Sequence, residues 1–467
     1  MSQNIVEQLD PVFNPRSIAL VGISTTATNV AYMFLHSLVA AGFPKIYPVN
    51  PKGGEMAGLK VYQSIKDIPD EVDLALVTVP REAVPEIARE CADKGTKAII
   101  LYAAGFGESG PEGKAIEQEI VRIARAGGTR VIGPNSVGTY NPSARLIPQA
   151  ILPTEGGPVG VISHSGFLFY YLLMSVSAVG LRPSKGAGCG SDGDLTFVDF
   201  LEYMGHDADT KIIVAYVEGI RDGRLLRVAR EISRTKPIIV LKGGNTEAGI
   251  TASESHTGTL AVPAAIWETL CRQTGIVSVD SFQQLTDALQ ALHYLPRPHG
   301  RRVGIITTPG GLAVTSTDAC SQLGLEVPRL APETREQLSG VVETMGTSVN
   351  NPVDLGLIGA LAPDRYMKEA IRIVGGDPNV DMILAAFTGP PFDDDVRDKN
   401  VADILISEIE ATGKPTVICG ATPEGWPRGE LRFLAQSKVP VYSEPRRAAF
   451  ALAKLAEYSE FVREMQS

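Results

Sequence analysis

Short apolar runs alternate with amphipathic stretches along most of the chain. Apolar runs closed by Gly, Ser, Pro or Asn are typical of buried parallel strands. The stretches between them have helical spacing; Val30, Phe34 and Leu38, for example, fall on one face at i, i+4 and i+8. The pattern predicts strands over residues 17–24, 45–50, 74–80, 98–102, 130–133, 159–163, 212–219, 237–241, 303–307, 382–387 and 415–419.

Strands that alternate with helices form doubly wound parallel sheets, so we predict an α/β protein. The 467 residues are enough for about three domains of ordinary size. A Gly- and Pro-containing turn at residues 133–138 closes the first series of strands, and residues 294–302 have linker composition. We therefore predict domains over residues 1–143, 144–297 and 298–467.

Composition excludes several classes of protein. The net charge of −10 argues against general nucleic-acid binding, which requires a basic face. The five cysteines are scattered and form no CxxC pair, which predicts a reducing, cytoplasmic setting and neither disulfides nor a bound metal. No apolar run approaches membrane-spanning length, and the first residues do not resemble a secretory signal, so we expect no membrane association.

Ligands of doubly wound sheets bind beyond the carboxyl ends of the strands. The dinucleotide fingerprint GxGxxG is missing after the first strand, which disfavours a nicotinamide oxidoreductase. Pro51–Gly54 instead offers a flexible backbone and one cation to a phosphate, although an ordinary loop with a solvated lysine has the same composition. The residues at this edge of the first domain are Gly22, Ser24, Asn50, Lys52, Val79, Pro80, Gly105 and Phe106.

Two turns have the composition of phosphate sites. Asn135 and Ser136 supply donors in a tight Gly/Pro turn, which is also what a structured linker looks like. Ser163, Ser165 and Gly166 open an apolar helix, whose N-terminus offers free N–H groups and a positive dipole end. Either serine is equally suited to capping that helix, and the two roles are compatible.

His256 lies among small and hydroxyl residues in the stretch 252–260, which we interpret as a polar loop after a strand. A neutral imidazole is a nucleophile near neutral pH, so we hypothesise that His256 is transiently phosphorylated. A lone histidine in such a loop is more often a surface residue. Glu218, at the end of a predicted strand, is suited to orient the imidazole. His164 is a second candidate, ranked below His256 because a helix start more often binds a phosphate than carries it.

Taken in order along the chain, these motifs resemble the α subunit of the nucleoside-diphosphate-forming acyl-CoA synthetases, relatives of succinyl-CoA synthetase. The resemblance covers nearly the whole length. It rests on the segments 15–24, 47–54, 133–135, 163–166, 218–219, 255–258, 309–311 and 351–354. It implies an N-terminal Rossmann-like CoA-binding domain followed by two flavodoxin-like succinyl-CoA-ligase domains.

The resemblance also implies the chemistry of an ADP-forming acid–thiol ligase. Acyl-CoA and phosphate give an acyl phosphate and CoA, and the phosphoryl group passes through His256 to ADP; the reverse direction activates a small carboxylic acid. It implies further that Glu218 orients the imidazole. CoA would contact Gly22, Ser24, Lys52, Val79, Pro80, Gly105 and Phe106, and the phosphoryl group would contact Asn135, Ser136, Ser163, Ser165 and Gly166.

Nucleotide and Mg²⁺ are bound in this family by an ATP-grasp domain, which we do not recognise in these residues. The resemblance therefore implies a separate ATP-grasp β subunit and a heterotetramer of two α and two β chains. The alternative is a CoA-binding or CoA-sensing protein that keeps the fold without turnover. Three features depart from the family pattern near the expected acyl group: Ser136, Phe167 and the segment 186–194. The aromatic cluster Phe167, Phe169, Tyr170 and Tyr171 is consistent with an altered acyl pocket or with packing in the helix core, and the core is expected for at least half of these residues.

Overall fold

A computed structural model of the chain describes residues 4–26, 29–220, 222–257, 262–308, 310–342, 347–387, 394–420 and 429–466, without the side chains of residues 254–257. The chain divides into two compact units, Met1–Asp280 and Ser281–Ser467. Within these described ranges, no helix is both long and apolar enough to cross a bilayer. The domain bounds 1–143, 144–297 and 298–467 stay a prediction.

The first sheet is wholly parallel, in the order β2-β1-β5-β6-β7. Its strands are fully or almost fully buried because helices cover both faces. A small antiparallel hairpin, β3 with β4, follows β2 at its carboxyl end. The strands of this region are β1 (Ile18–Val21), β2 (Ile46–Val49), β3 (Gly54–Met56), β4 (Leu59–Val61), β5 (Leu74–Val77), β6 (Ala98–Leu101) and β7 (Arg130–Ile132).

The second sheet has the order β13-β12-β11-β9-β10-β8 and is parallel except for the edge strand β8. β8 comes directly after β7 in the chain but belongs to the second sheet, so the chain passes from the first sheet into the second at this strand. The strands are β8 (Gly138–Tyr140), β9 (Val159–Ser163), β10 (Pro183–Gly188), β11 (Ile212–Val217), β12 (Ile238–Lys242) and β13 (Val277–Val279).

The helices of the first unit join its two sheets into one core. Phe13 stacks on Tyr203 with ring centroids 4.5 Å apart, which fixes the first helix against the sixth. The helices are α1 (Ile5–Phe13), α2 (Val30–Ala40), α3 (Val84–Lys94), α4 (Pro111–Ala126), α5 (Gly166–Ala178), α6 (Phe197–His206), α7 (Leu225–Ile232), α8 (Glu247–Thr257) and α9 (Ala264–Thr274).

Asp194 adds a polar link between the two sheets. Its carboxylate is fully buried, accepts from the N–H of Val131 at 2.8 Å and pairs with Arg130 at 2.9 Å and with Arg125. Arg130 and Val131 belong to β7, whereas Asp194 follows β10. Removing one partner of such a buried pair leaves an uncompensated charge, so this link holds the segment after β10 firmly against the first sheet.

The second unit repeats the layout with a third parallel sheet, in the order β15-β14-β16-β17-β18. A buried ion pair between Asp287 and Arg447, 2.7 Å apart, joins the first helix of this unit to the last. Its elements are α10 (Phe282–Tyr294), β14 (Val303–Thr307), α11 (Gly310–Gln322), α12 (Pro332–Ser339), β15 (Val353–Asp354), α13 (Gly356–Leu361), α14 (Tyr366–Gly375), β16 (Met382–Phe387), α15 (Asp395–Thr412), β17 (Thr416–Gly420), α16 (Glu430–Gln436), β18 (Val441–Tyr442) and α17 (Pro445–Glu464).

The predicted α/β class with parallel sheets is confirmed, and each predicted strand is present within a few residues of its expected bounds. Strand β10 was not predicted, because Pro-Ser-Lys-Gly-Ala-Gly has no apolar run. Its glycines are explained by packing: a Cβ at Gly186 would lie 2.7 Å from the Phe169 ring. All five cysteines are buried free thiols.

Candidate functional site

The carboxyl edge of the first sheet forms an open, glycine-rich rim. Gly22 follows β1 with φ of +88°, and a Cβ there would lie 2.9 Å from Cγ1 of Val79. Asn50 ties the neighbouring turn down, because its Nδ2 donates to the carbonyl of Ile23 at 2.8 Å and its Oδ1 accepts from the N–H of Lys52 at 2.9 Å. The Lys52 side chain is exposed beside this turn. The rim thus lets a ligand approach the main chain closely, and it offers that ligand one cation, Lys52.

The loop after β6 is held by two charged side chains. Arg81 donates from Nη1 to the carbonyl of Gly105 at 2.8 Å, and the Glu108 carboxylate accepts from the N–H groups of Gly105 and Phe106. The ring of Phe106 is fully buried in the core. Its side chain therefore faces away from the rim, and only its main chain remains as a contact for a ligand. Ser24, Val79 and Pro80 are partly or fully exposed.

The rim has the chemistry that a phosphate-bearing ligand needs. Because Gly22 has no side chain, no Cβ collides with Val79. Gly54, in the hairpin after β2, has no atom within 4 Å of the position that a Cβ would take. A nucleotide phosphate needs such backbone access and a nearby cation, which Lys52 supplies. The contacts of these residues with CoA stay a prediction.

Gly22 also allows a direct experiment. We expect Gly22→Ala to weaken CoA binding about tenfold, because a positive φ and the collision with Val79 cost about 1–2 kcal/mol and reshape the turn. Gly95→Ala is the matched control, since Gly95 has φ of +76° but nothing within 4 Å of its Cβ position. Calorimetric titration with CoA measures both variants. Equal affinities for CoA in the two variants would contradict a role for the Gly22 turn.

The segment after β7 connects the rim to the second sheet. The N–H of Asn135 donates to Ala103 and that of Ser136 to Leu101, which keeps the turn against β6. The Ser136 hydroxyl is buried, donates to the carbonyl of Gly188 and accepts from the N–H of Gly138 at 3.0 Å. Because this hydroxyl already serves inside the protein, Ser136 holds the segment in place. Of the two phosphate contacts predicted in this segment, the Asn135 side chain is the one still available to a ligand. This side chain is half-buried, and the φ of Asn135 is +55°.

Strand register brings the other predicted residues to the same edge. Gly188 at the end of β10 pairs with Ser163 of β9 on one side and with Gly138 of β8 on the other. Ser163 in turn pairs with Tyr216 of β11. Since β8 is antiparallel to β10, it begins at the edge of the sheet where β9, β10 and β11 end. The sheet therefore gathers the turns at 135–138, 163–166 and 218 within a few strand spacings.

The turn Ser163–Gly166 is compact and internally bonded. The Ser163 hydroxyl donates to the carbonyl of Ser165 at 2.8 Å and accepts its N–H at 3.2 Å. Ser165 caps α5 by accepting from the N–H of Leu168 at 3.4 Å. A Cβ at Gly166 would lie 2.6 Å from Cγ1 of Val137, so only glycine allows α5 to begin this close to the 135–138 segment. The capping role is confirmed for Ser165, and the turn still presents a helix N-terminus.

Glu218 stands immediately after β11 and is buried. Its N–H donates to Nδ1 of His164 at 3.3 Å, which joins it to the serine turn. Burial, followed by the charge and hydrogen bond of Glu218, raises the pKa of the Tyr216 phenol. Tyr216 therefore stays protonated and donates to the Glu218 carboxylate. Sequence reasoning missed Tyr216, because inside a run of strand residues it looks like core.

The stretch 252–260 around His256 was predicted as a loop, and this is wrong for residues 252–257. Residues Glu247–Thr257 form α8, which begins where the Thr246 hydroxyl accepts from the N–H of Gly249 at 3.1 Å. Ala and Glu favour a helix, and in this segment they outweigh the loop-like composition. The His256 side chain and residues 258–261 lie outside the described part of the chain, as does Pro309 of the predicted motif 309–311.

α8 nonetheless relates the two halves of the site. It runs beside the short 3₁₀ turn Gly107–Ser109, which follows the Gly105 loop at the rim of the first sheet. On its other side α8 continues from β12 through Lys242, whose Nζ donates to the carbonyls of Gly243 and Gly244. Burial lowers the pKa of that lysine. The helix that carries His256 thus follows a strand of the second sheet in the chain and contacts the turn at the rim of the first sheet.

The aromatic cluster of α5 divides between core and surface. Phe169 is fully buried against β10, whereas Phe167 is 77% exposed and Tyr171 39% exposed. Successive helical residues point in different directions, so this division follows from the helix itself. Phe167 stands in the first turn of α5, directly after the serine turn.

Two domain families match the chain. The CoA binding domain matches residues 16–142, and the succinyl-CoA ligase like flavodoxin domain matches residues 156–292. These are the regions of the first and second sheets. The predicted Rossmann-like and flavodoxin-like architecture is confirmed.

Full-length relatives agree with the domain matches. The chain is 35% identical to the acetate–CoA ligase [ADP-forming] II subunit alpha of Pyrococcus furiosus, over 96% of this chain and 98% of the relative. It is 34% identical to an acetate–CoA ligase [ADP-forming] of Methanocaldococcus jannaschii, over 97% of this chain but only 63% of that longer relative. A solved structure from Ca. Korarchaeum cryptofilum, a dinucleotide forming acetyl-coenzyme A synthetase 1 in complex with phosphate and ADP, superposes with a TM-score of 0.85. It is 32% identical to this chain and covers 98% of it and 99% of the solved chain. The chain therefore belongs to the family of the α subunits of ADP-forming acyl-CoA synthetases.

Proposed function

We propose that this chain is the α subunit of an ADP-forming acyl-CoA synthetase, which interconverts acyl-CoA, ADP and phosphate with a carboxylic acid, CoA and ATP. The proposal rests on the meeting of the Ser163–Gly166 turn, the Asn135 segment and Glu218 at one sheet edge, and on the contact of α8 with the turn at the rim of the first sheet. A residue that accepts a phosphoryl group from an acyl phosphate needs both neighbourhoods, since the thioester and the phosphate site must both lie within its reach before the group passes to ADP on the partner.

The proposed reaction has three balanced steps. A phosphate oxygen attacks the thioester carbonyl, the C–S bond breaks, and CoA leaves as its thiol after taking up a proton. An imidazole nitrogen of His256 then attacks the phosphorus of the acyl phosphate. The bond between phosphorus and the acyl oxygen breaks, and the carboxylate leaves. Finally a terminal oxygen of ADP attacks the phosphohistidine, the P–N bond breaks, and ATP forms.

Each residue in the proposed site has a role that follows from its geometry. Ser165 and Gly166, with Ser163 behind them, hold the N-terminus of α5 open to an anionic phosphoryl group. Asn135 offers an amide donor from the facing segment. Glu218, fixed by Tyr216 and by its own N–H, would orient one imidazole nitrogen of His256 so that the other attacks.

CoA would lie along the rim of the first sheet. Gly22 and Ser24 at the end of β1, with Val79, Pro80 and Gly105, would contact the cofactor, and Lys52 would neutralise a phosphate. Phe106 would contribute only through its main chain, because its ring is buried. This proposal agrees with the match of residues 16–142 to the CoA binding domain.

The partner would be an ATP-grasp β subunit in an α2β2 complex. Support comes from the relative named as a subunit alpha, and from the longer relative, in which about a third of the length lies outside the matched region. The nucleotide would bind mainly to that partner, where Mg²⁺ would neutralise charge on the phosphates. The five reduced, buried thiols suit the cytoplasm, where CoA thioesters and ADP are available.

The test is phosphoryl transfer in the reconstituted complex. The full chain and an ATP-grasp partner are incubated with Mg²⁺ and ATP labelled on its γ-phosphate. We expect an acid-labile, base-stable label on this chain, which disappears when CoA and an acid are added together. A chain that binds CoA but never takes up label would contradict the enzyme and support the alternative of a CoA-sensing protein. A screen from acetate to aryl acids then identifies the substrate; the exposed Phe167 is the reason to include aryl acids.

A further inference from the structure

His164 is buried at the centre of the proposed phosphoryl site. It stands between Ser163 and Ser165, and its N–H donates to the carbonyl of Tyr216 at 3.1 Å. Its Nδ1 accepts the N–H of Glu218 at 3.3 Å. Its ring therefore links the serine turn on β9 directly to the residue that ends β11.

The opposite nitrogen of the same ring faces an acid. Nε2 of His164 lies 3.3 Å from Oδ2 of Asp192, whose Oδ1 accepts from the N–H of Phe197 at 3.2 Å. Phe197 also packs edge-on against the imidazole, with centroids 5.9 Å apart. Asp192 has φ of +54°, an uncommon conformation for a residue with a side chain.

The loop that holds Asp192 is itself fixed to the Asn135 segment. The N–H of Ser191 donates to Pro134 at 2.9 Å, and that of Gly193 donates to Gly133 at 3.0 Å. A Cβ at Gly190 would lie 2.1 Å from the carbonyl oxygen of Pro134. The imidazole thus stands where three parts of the proposed site meet: the serine turn, the residues before Asn135 and Glu218.

We propose that His164 is a positioning residue that fixes Glu218 for phosphoryl transfer through its Nδ1 acceptor, while Asp192 fixes the ring. This inference rests on the function proposed above. The geometry requires the neutral imidazole with its proton on Nε2, because Nδ1 accepts an N–H and cannot also carry a proton. A buried Glu218 N–H without this acceptor would be unsatisfied, and the main chain that aims the carboxylate would shift.

Protonation of His164 would remove the acceptor. Burial lowers the pKa of the ring, but Asp192, 3.3 Å from Nε2, and the charge of Glu218 outweigh it, so the pKa lies above the ordinary value. Among the described residues, the groups that act on these partners are the Tyr216 phenol beside Glu218, the Cys189 thiol beside Asp192, and Asp199 of α6 with its partner Arg224. The arrangement therefore predicts that the relay slows as pH falls through the raised pKa of His164.

Two substitutions at His164 separate positioning from packing. Asn places Oδ1 where Nδ1 stands and accepts the same N–H without titrating, whereas Leu keeps volume and removes the acceptor. Phosphoryl uptake from labelled ATP is measured in a single turnover of the reconstituted complex as a function of pH. We expect His164→Leu to be about tenfold slower or more, and His164→Asn to stay within about threefold of wild type. In His164→Asn the loss of rate at low pH should move to lower pH.

Controls keep the outcome decisive. His206→Leu makes the same change at an exposed ring, whose Nδ1 lies 2.8 Å from the carbonyl of Glu202, and should leave the rate unchanged. If His164→Leu fails to fold, Asp192→Asn takes its place. This variant should still take up the labelled phosphoryl group, but the pH at which the rate falls on acidification should shift. Wild-type rates and an unchanged pH profile in both His164 variants would overturn the inference alone. Absence of label on the wild-type chain would overturn the proposed function, and this inference with it.

Discussion

His256→Ala is expected to abolish phosphorylation of the chain and to lower the net synthesis of ATP from acyl-CoA by at least about a thousandfold. The alanine variant has no nucleophile at the position that carries the phosphoryl group between acyl phosphate and ADP. His164 cannot replace it, because its ring is buried and both of its nitrogens face protein groups.

The measurement is labelling from γ-labelled ATP in the reconstituted complex, followed by acid and base treatment. His206→Ala is the matched control, since it removes an exposed imidazole from the same unit. CoA binding should be unchanged in His256→Ala. This result would separate a loss of phosphoryl transfer from damage to the CoA-binding rim. Persistent base-stable label on His256→Ala would refute the assignment and direct attention to another histidine.

Glu218→Gln is expected to slow phosphorylation of His256 by about a hundredfold or more while leaving the fold intact. Glutamine matches the size of glutamate and can still accept from Tyr216, but it lacks the charge that holds one imidazole nitrogen and stabilises the positive ring formed on phosphorylation. The buried position of Glu218 makes that charge effective, because water does not screen it.

Single-turnover kinetics, with thermal unfolding as the check on structure, test this expectation. Glu231→Gln serves as the control, since Glu231 is an exposed residue of α7 that pairs with Arg227 at 3.8 Å. An exposed pair of this kind contributes little, so its removal should change neither stability nor rate. Unchanged uptake of label in Glu218→Gln would remove Glu218 from the relay.

His164 and Glu218 are linked by the hydrogen bond from the Glu218 N–H to Nδ1 of His164. If its Nδ1 acceptor fixes the main chain of Glu218, then His164→Leu combined with Glu218→Gln should cost less than the sum of the two single changes. The serine turn, the acid and the imidazole would then behave as one unit. That non-additivity is what a shared orienting function predicts.

The sequence alone determined the three-sheet α/β architecture and the order of the motifs. Apolar runs such as 159–163 and 382–387 became strands with the predicted bounds, because a buried parallel strand needs a continuous apolar stretch and little else. The glycines and serines at the ends of these runs also identified the turns at Gly22 and Ser163–Gly166, since a ligand edge requires a sharp, accessible backbone.

Only the tertiary structure decided which of those residues face each other. Ser136 has the composition of a phosphate donor, yet its hydroxyl is used inside the protein on Gly188, a partner far along the chain. Strand β10 has no apolar run, because Phe169 from α5 fills the space that side chains would occupy. Asp192 meets His164 only because the loop after β10 is bonded to the 133–134 turn. Local sequence encodes strands and turns, whereas these contacts depend on packing between distant segments.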